Sequence, residues 1–223
     1  MKTFNALLKR AFDVVFALSF LIVFSPVYII TAVLIMIMSP GNPIYKAERI
    51  GKDGKIFTCY KFRSMRIDSG NVKLTTLRND DRIFPFGKFI RKAKIDEMPQ
   101  ALNVLFGQMS VVGPRPEDKS NADKIYVGEY KNILKAKPGL TSLASLYDYT
   151  HGENFESPEE YENEFLPQKL FLELYYVNNC SFLFDIKLIL ETAYIIIAIV
   201  FGKEKFNTPK ELSGYSDKIL ENR

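Results

Sequence analysis

The stretch "VVFALSFLIVFSPVYIITAVLIMIM", Val14 to Met38, carries no charge from end to end, and how it meets a membrane decides the rest of the fold. About 20 apolar residues are enough for a helix to cross a bilayer core of about 30 Å, so by length the segment could span. Ser25-Pro26 sits at its centre. Proline removes a backbone donor and its ring collides with the preceding turn, so a break there leaves halves of about a dozen residues, roughly 18 Å each at helical rise. Neither half crosses alone.

Charge around the segment points the same way. Lys2, Lys9 and Arg10 precede it, and Lys46, Arg49, Lys52 and Lys55 follow closely. Basic flanks stay on the cytoplasmic side, so both ends read as cytoplasmic. A helix that enters, turns at Ser25-Pro26 and returns to the same face satisfies both observations, with the serine hydroxyl free to bond a released carbonyl. A spanning helix with a proline kink is the alternative that the residues leave open. No small-residue cleavage site follows a short apolar core, so the segment reads as a permanent anchor.

Composition bounds the remainder. The 223 residues are 47% hydrophobic and 25% charged, an ordinary globular balance that excludes both a disordered chain and a bundle of spans. Net charge is +4 with the two signs interspersed, a weak pull toward anionic surfaces or phosphates, and no nucleic-acid-binding motif is present. Cys59, Cys180 and the single His151 give almost no material for a zinc site or a disulfide framework.

Past Gly41 to Pro43, "KAERIGKDGKIFTCYKFRSM" reads as two short strands joined at Asp53-Gly54. Over 56 to 64 a period of two puts Cys59, Lys61 and Arg63 on one face, which is either an anion-holding face or simply a solvated one. Ile67 to Arg82 is polar and reads as a loop. "FGKFIRKAKI" has helical spacing, as do 158 to 175, interrupted by Pro167, and 182 to 201, whose uncharged run from Thr192 to Phe201 is too short to span and belongs to the core or the membrane surface. The fold class is therefore α+β, mainly helical and membrane-associated, with a short β-hairpin and interfacial amphipathic helices. Three parts follow: a membrane helix over 1–40, a catalytic domain over 41–201, and a polar tail over 202–223.

Asp96 and Glu97 stand side by side in "AKIDEMPQALNVLFGQMSVVGPRPE", residues 93 to 117. Asp is a strong helix N-cap and Pro99 suits a first turn, so capping alone would explain the pair. A second explanation uses the same place: a helix start keeps a carboxylate ionised and attracts phosphate, and an ionised carboxylate can attack phosphorus. Two like charges at 4 Å repel by about 4 kcal/mol at an effective dielectric of 20, so this chemistry needs cations. Lys61, Arg63, Arg91, Lys94 and Arg115 are the candidates, with a hard divalent metal bridging phosphate oxygens. Pro114 and Pro116 restrict Arg115 to extended backbone and pre-set its guanidinium.

Together "KRAFD", the Ser25-Pro26 break, "YKFRSM", "KIDEMPQALNVLFGQMSVVGPRPE", "KPGLTS" and "LPQKLFLELYYV" followed by "DIKLI" resemble the small monotopic phosphoglycosyl transferases, the bacterial sugar transferases, over about residues 8 to 201. The resemblance implies a re-entrant N-terminal helix, broken at Ser25 and Pro26, in the cytoplasmic leaflet of the bacterial inner membrane. It implies transfer of a sugar phosphate from a UDP-sugar to undecaprenyl phosphate with release of UMP. Asp96 is then the nucleophile and the Mg²⁺ ligand, Glu97 assists in proton transfer or positioning, and Arg115 contacts phosphate from the turn that Gly113, Pro114 and Pro116 make. Lys61, Arg63 and Lys94 are weaker members of the substrate site. Ser142 and Ser145 stand where the family usually has Gly and Gln, which leaves nucleotide and sugar contacts there open. A scaffold whose acid pair is structural, and a metal-dependent phosphohydrolase, are the competing readings. Sugar identity depends on pocket shape, and a homo-oligomer stays open.

Overall fold

The computed structural model describes residues 3–66, 82–152 and 158–215. Two helices open the chain, α1 (Thr3–Val23) and α2 (Ser25–Met38). Their axes bend by 60° at the break. Pro26 has no N–H for the Ile22 carbonyl; the Ser25 hydroxyl donates to that carbonyl instead, at 2.8 Å. No single described helix is long and apolar enough to cross a membrane, and α1 with α2 meets that measure only as a bent pair.

Both helices of this bent pair dock on one body. On α1, Arg10 donates to the carbonyls of Val104 and Leu105 at 2.6 and 2.8 Å, closing the C-terminus of α4 (Ala101–Leu105) as cations favour at helix ends. Asp13 accepts from the Val111 N–H at 2.9 Å and the Ser110 hydroxyl at 3.0 Å, and Lys9 pairs with Asp185. These contacts account for "KRAFD". On α2, Ile35 packs with Phe62, Phe84 and Ile90, and Tyr28 donates to the Met98 carbonyl.

β1 (Ile44–Ile50) and β2 (Ile56–Phe62) form the expected antiparallel hairpin, in register from Ile44 opposite Phe62 to Ile50 opposite Ile56. Its turn holds Asp53 at φ 56° and Gly54 at φ 75°, a conformation open to Asp and Gly and costly for most residues. α3 (Pro85–Lys92) leads through Ile95–Gln100, a 3₁₀ turn, into α4. Residues 67–81, most of the polar segment read as a loop, lie outside the described residues.

A second pairing was not legible. β3 (Ser110–Val112) runs parallel to β4 (Gly139–Thr141), Ser110 opposite Gly139 and Val112 opposite Thr141. It joins "VVGPRP" to "KPGLTS". The Gly139 N–H donates to the Pro114 carbonyl at 2.8 Å and the Gly113 N–H to the Thr141 carbonyl at 3.0 Å. A Cβ on Gly139 would sit 2.1 Å from the Gly113 nitrogen, so backbone touches backbone here and only glycine fits.

α5 (Lys119–Ile125) and a 3₁₀ stretch, Gly128–Lys135, precede β4; α6 (Leu143–His151), α7 (Pro158–Glu160), a π turn over Tyr161–Phe165, α8 (Leu166–Asn179) and α9 (Phe182–Val200) follow it. The interruption expected at Pro167 shows as a change of helix type: the π turn over Tyr161–Phe165 gives way to α8 just before the proline, which lies in the first turn of α8. α8 is central. Its Leu172 and Tyr176 join the main core with Val104, Met109, Val112, Leu146, Phe165 and Leu188, while Leu170 and Leu174 face Ile125 and Ile133 on another side. In the tail, described as far as Tyr215, Leu212 is buried in the core and the Tyr215 ring lies 5.5 Å from that of Phe171, tilted by 58°; residues 216–223 lie outside the described residues.

Candidate active site

Asp96 and Glu97 lie in the first turn of the Ile95–Gln100 3₁₀ segment. Lys94 leads into it in a left-handed conformation, φ 54°, sparsely populated for a residue with a Cβ and typical of sites whose surroundings hold the strain. The N-cap position falls on Lys94, not on either acid, and no side-chain cap closes this helical start.

The two carboxylates have opposite surroundings. Glu97 Oε1 accepts from Lys61 Nζ at 3.0 Å and Arg115 Nη2 at 3.1 Å, and its Oε2 from the Tyr149 hydroxyl at 3.4 Å. Burial works against its charge, but Lys61, then Arg115 and Lys94, hold its carboxyl well below the ordinary range. Arg115 is in turn held protonated by Glu97. Asp96 is 9% exposed and its Oδ1 is buried without a hydrogen-bond partner among the described residues. Burial, then the Glu97 charge, push its pKa up to about 6, against Lys61, Lys94 and Arg91. Asp96 is therefore harder to ionise than a free carboxyl, because desolvation outweighs the partial charge of this short 3₁₀ turn, and it still carries its charge near neutral pH.

Of the cations picked from sequence, Lys61, Lys94 and Arg115 gather around Glu97. Lys94 Nζ also lies 3.7 Å from the centre of the Tyr149 ring. Arg63 goes elsewhere. It is 7% exposed, and its guanidinium donates to the Ser39 hydroxyl at 3.2 Å, the Pro40 carbonyl at 3.3 Å and the Ser39 carbonyl. The strand ends at Phe62, so the alternation that put Arg63 beside Lys61 stops one residue short. Arg63 fastens the end of α2 to the domain.

Pro114 carries Arg115 onto Glu97 from the turn after β3, and three residues outside the sequence-derived set support this arrangement. Asn103, fully buried, accepts from the Tyr60 N–H at 3.1 Å and donates to the Thr58 carbonyl at 2.6 Å, locking β2 to the helix after the acid pair. Glu173 Oε1 accepts from the Arg115 N–H at 2.9 Å and the Ser142 hydroxyl at 3.1 Å. Ser142 also caps α6, accepting from the Ser145 N–H at 2.9 Å, so the serines that depart from the family pattern are buried and bonded to the protein itself. Tyr149 had no signal in sequence. Glu173 had one: with Lys169 it places two charges one turn apart in an otherwise apolar stretch, a spacing that needs an explanation.

Among the described residues no three His, Cys, Asp or Glu side chains converge on one point. Mg²⁺ does not require such a cage, since it takes one or two carboxylates and completes its shell with phosphate oxygens and water. Asp96, with its unpartnered oxygen, fits that demand; Glu97 is taken by its two cations.

The family model for bacterial sugar transferases matches residues 4–199. The chain belongs to that family. The chain is 36% identical over 193 residues to the UDP-glucose:undecaprenyl-phosphate glucose-1-phosphate transferase of Escherichia coli K12, covering 85% of this chain and 40% of that protein. It is 38% identical over 206 residues to the exopolysaccharide production protein PSS of Rhizobium leguminosarum bv. phaseoli, covering 89% and 98%. With the UDP-N-acetylgalactosamine-undecaprenyl-phosphate N-acetylgalactosaminephosphotransferase of Aeromonas hydrophila it shares 34% over 197 residues, 86% and 44%. The chain thus spans about two fifths of two of these relatives and nearly all of the third.

Proposed function

We propose that the protein moves a sugar 1-phosphate from a UDP-sugar to undecaprenyl phosphate through a covalent intermediate on Asp96, at the cytoplasmic face of the bacterial inner membrane. The observation that carries this reading is the division of labour between the acids: Glu97 is neutralised by Lys61 and Arg115, while the buried Asp96 keeps an oxygen with no partner among the described residues.

The Asp96 oxygen attacks the phosphorus that bears the sugar; the diphosphate bridge breaks and UMP leaves with the bridging oxygen. A phosphate oxygen of undecaprenyl phosphate then attacks the same phosphorus, and the acyl phosphate bond breaks. The Asp96 carboxylate is restored and a lipid diphosphate sugar released. Charge neutralisation and in-line placement dominate such transfers. Arg115, 25% exposed in its side chain, holds the incoming phosphates with its planar fork, and Lys61 and Lys94 supply further positive charge. Glu97, held ionised by its cations, positions them and is a poor proton acceptor near neutral pH. Asp96 and the substrate phosphates would hold Mg²⁺, which supplies neutralisation of phosphate charge.

The bent α1–α2 pair, docked at both ends on one body, supports a re-entrant hairpin in one leaflet. Apolar side chains exposed on α1, α2 and α9, among them Val15, Ile22, Ile29, Ile37, Leu190 and Ile197, fit a lipid-facing side. Incubation with a panel of UDP-sugars without lipid acceptor tests the reading. One sugar phosphate should appear on Asp96 by intact mass, with one UMP released. A scaffold would give neither, and a phosphohydrolase would turn over without undecaprenyl phosphate.

A further inference from the structure

We propose that Glu173 is a positioning residue for the transfer reaction: it holds the backbone of Arg115 so that the guanidinium meets Glu97 and the substrate phosphates. This rests on the role given to Arg115 above.

The reason begins with the tripeptide. In Pro114-Arg115-Pro116 only the central residue has an N–H, so the turn offers one backbone donor by which it can be gripped. Glu173 Oε1 takes it, at 2.9 Å. On the other side the Gly139 N–H holds the Pro114 carbonyl at 2.8 Å. These two bonds, one on each side of the Pro114–Arg115 peptide, fix its plane, and with φ at Arg115 they set the direction in which the side chain leaves. The same Oε1 accepts the Ser142 hydroxyl at 3.1 Å, tying the residue after β4 to the turn after β3.

Stability does not require a carboxylate there, since an amide oxygen would accept the same two donors. Glu173 is 2% exposed, and its Oε2 is buried with no hydrogen-bond partner among the described residues, an arrangement that costs free energy. Lys169, one turn earlier on α8, is bound to Glu117 Oε1 at 3.4 Å, and Asp148 from α6 adds to the negative charge around Lys169. Burial accordingly pushes the Glu173 carboxyl up to about 7, with the Arg115 N–H opposing. A residue kept against this cost, with its bonded oxygen on the sole donor of the phosphate-binding turn, is placed for geometry.

The test is a double-mutant cycle on purified, membrane-reconstituted protein. It uses whichever of UDP-glucose, UDP-galactose and UDP-N-acetylgalactosamine gives most UMP with undecaprenyl phosphate. Glu173→Ala should lower kcat about 10²-fold, the scale of a small misplacement at a transfer site. Glu173→Gln, whose amide oxygen accepts the same two donors, should stay within about threefold of wild type. In an Arg115→Ala background Glu173→Ala should cost almost nothing further, because its effect runs through Arg115. Full cost in both backgrounds, a Gln variant as poor as Ala, or an Ala variant with wild-type rate would each overturn the proposal. Glu173→Leu fills the space without an acceptor and replaces Ala if Ala does not melt cooperatively; loss of the cooperative melt in both gives Glu173 a purely structural role and also overturns it. Wild-type protein that forms no adduct and releases no UMP would instead sink the function, and Arg115→Ala at wild-type rate the role of Arg115.

Discussion

Glu97 and Asp96 are consecutive residues held in opposite states: two cations sit within 3.1 Å of a Glu97 oxygen, whereas Asp96 Oδ1 is buried with no hydrogen-bond partner among the described residues. This difference is what the proposed attack of Asp96 on phosphorus rests on.

Asp96→Asn should abolish the adduct and UMP release and also raise thermal stability at pH 8. A carboxyl raised from 3.8 to about 6 by folding gives stability that is present below 3.8 and lost as pH rises through about 6. The neutral amide escapes that loss, worth on the order of 1–3 kcal/mol. Melting curves at pH 5 and 8 check it: the advantage of Asn should grow with pH, and a less stable variant at pH 8 would contradict the assignment.

The transfer rate should fall as pH drops through about 6, where Asp96 takes up its proton, while Glu97, held low by Lys61 and Arg115, stays charged throughout that limb. Lys61→Met removes the largest charge that opposes the rise in the Asp96 pKa, so its acid limb should move to higher pH. Profiles of kcat/KM for the two proteins decide this; an unmoved limb would detach the limb from Asp96.

Arg115→Ala should cost about 10²-fold or more in kcat, the usual loss for one donor aimed at developing charge. Arg115→Lys should recover only part, because an ammonium lacks the paired donors. Activity should vanish in excess chelator and return with Mg²⁺. Full rate in chelator would remove the metal from Asp96.

Arg63→Met should behave unlike Lys61→Met. It leaves Ser39 and Pro40 without their donor, costing about 1–3 kcal/mol in stability, with KM for the UDP-sugar unchanged. A raised KM with intact stability would return Arg63 to the substrate site.

Cysteines introduced at residues 3 and 42, the two ends of the helical hairpin, should both resist an impermeant thiol reagent in intact cells and react after lysis. Labelling of either from outside would establish a spanning helix.

What the sequence determined by itself is local or carried by spacing. Proline chemistry gave the break at Ser25-Pro26, positive-φ residues gave the turn at Asp53-Gly54, and the ordered run from Asp96 to Arg115 marked the site, because each depends on neighbouring residues alone. Tertiary structure decided the rest. Which cation reaches Glu97 turned on where β2 ends: Lys61 lies within the strand and Arg63 one residue past its end. The parallel β3–β4 pair joins segments far apart in the chain through bare backbone, which leaves no side-chain pattern to read. The charge states of Asp96 and Glu97 follow from burial and from partners brought in from β2 and the Pro-Arg-Pro turn. Adjacent acids in a sequence look alike; only the solvent and counter-charges that folding removes or supplies leave one with a buried oxygen that has no partner among the described residues and make the other an ion-pair hub.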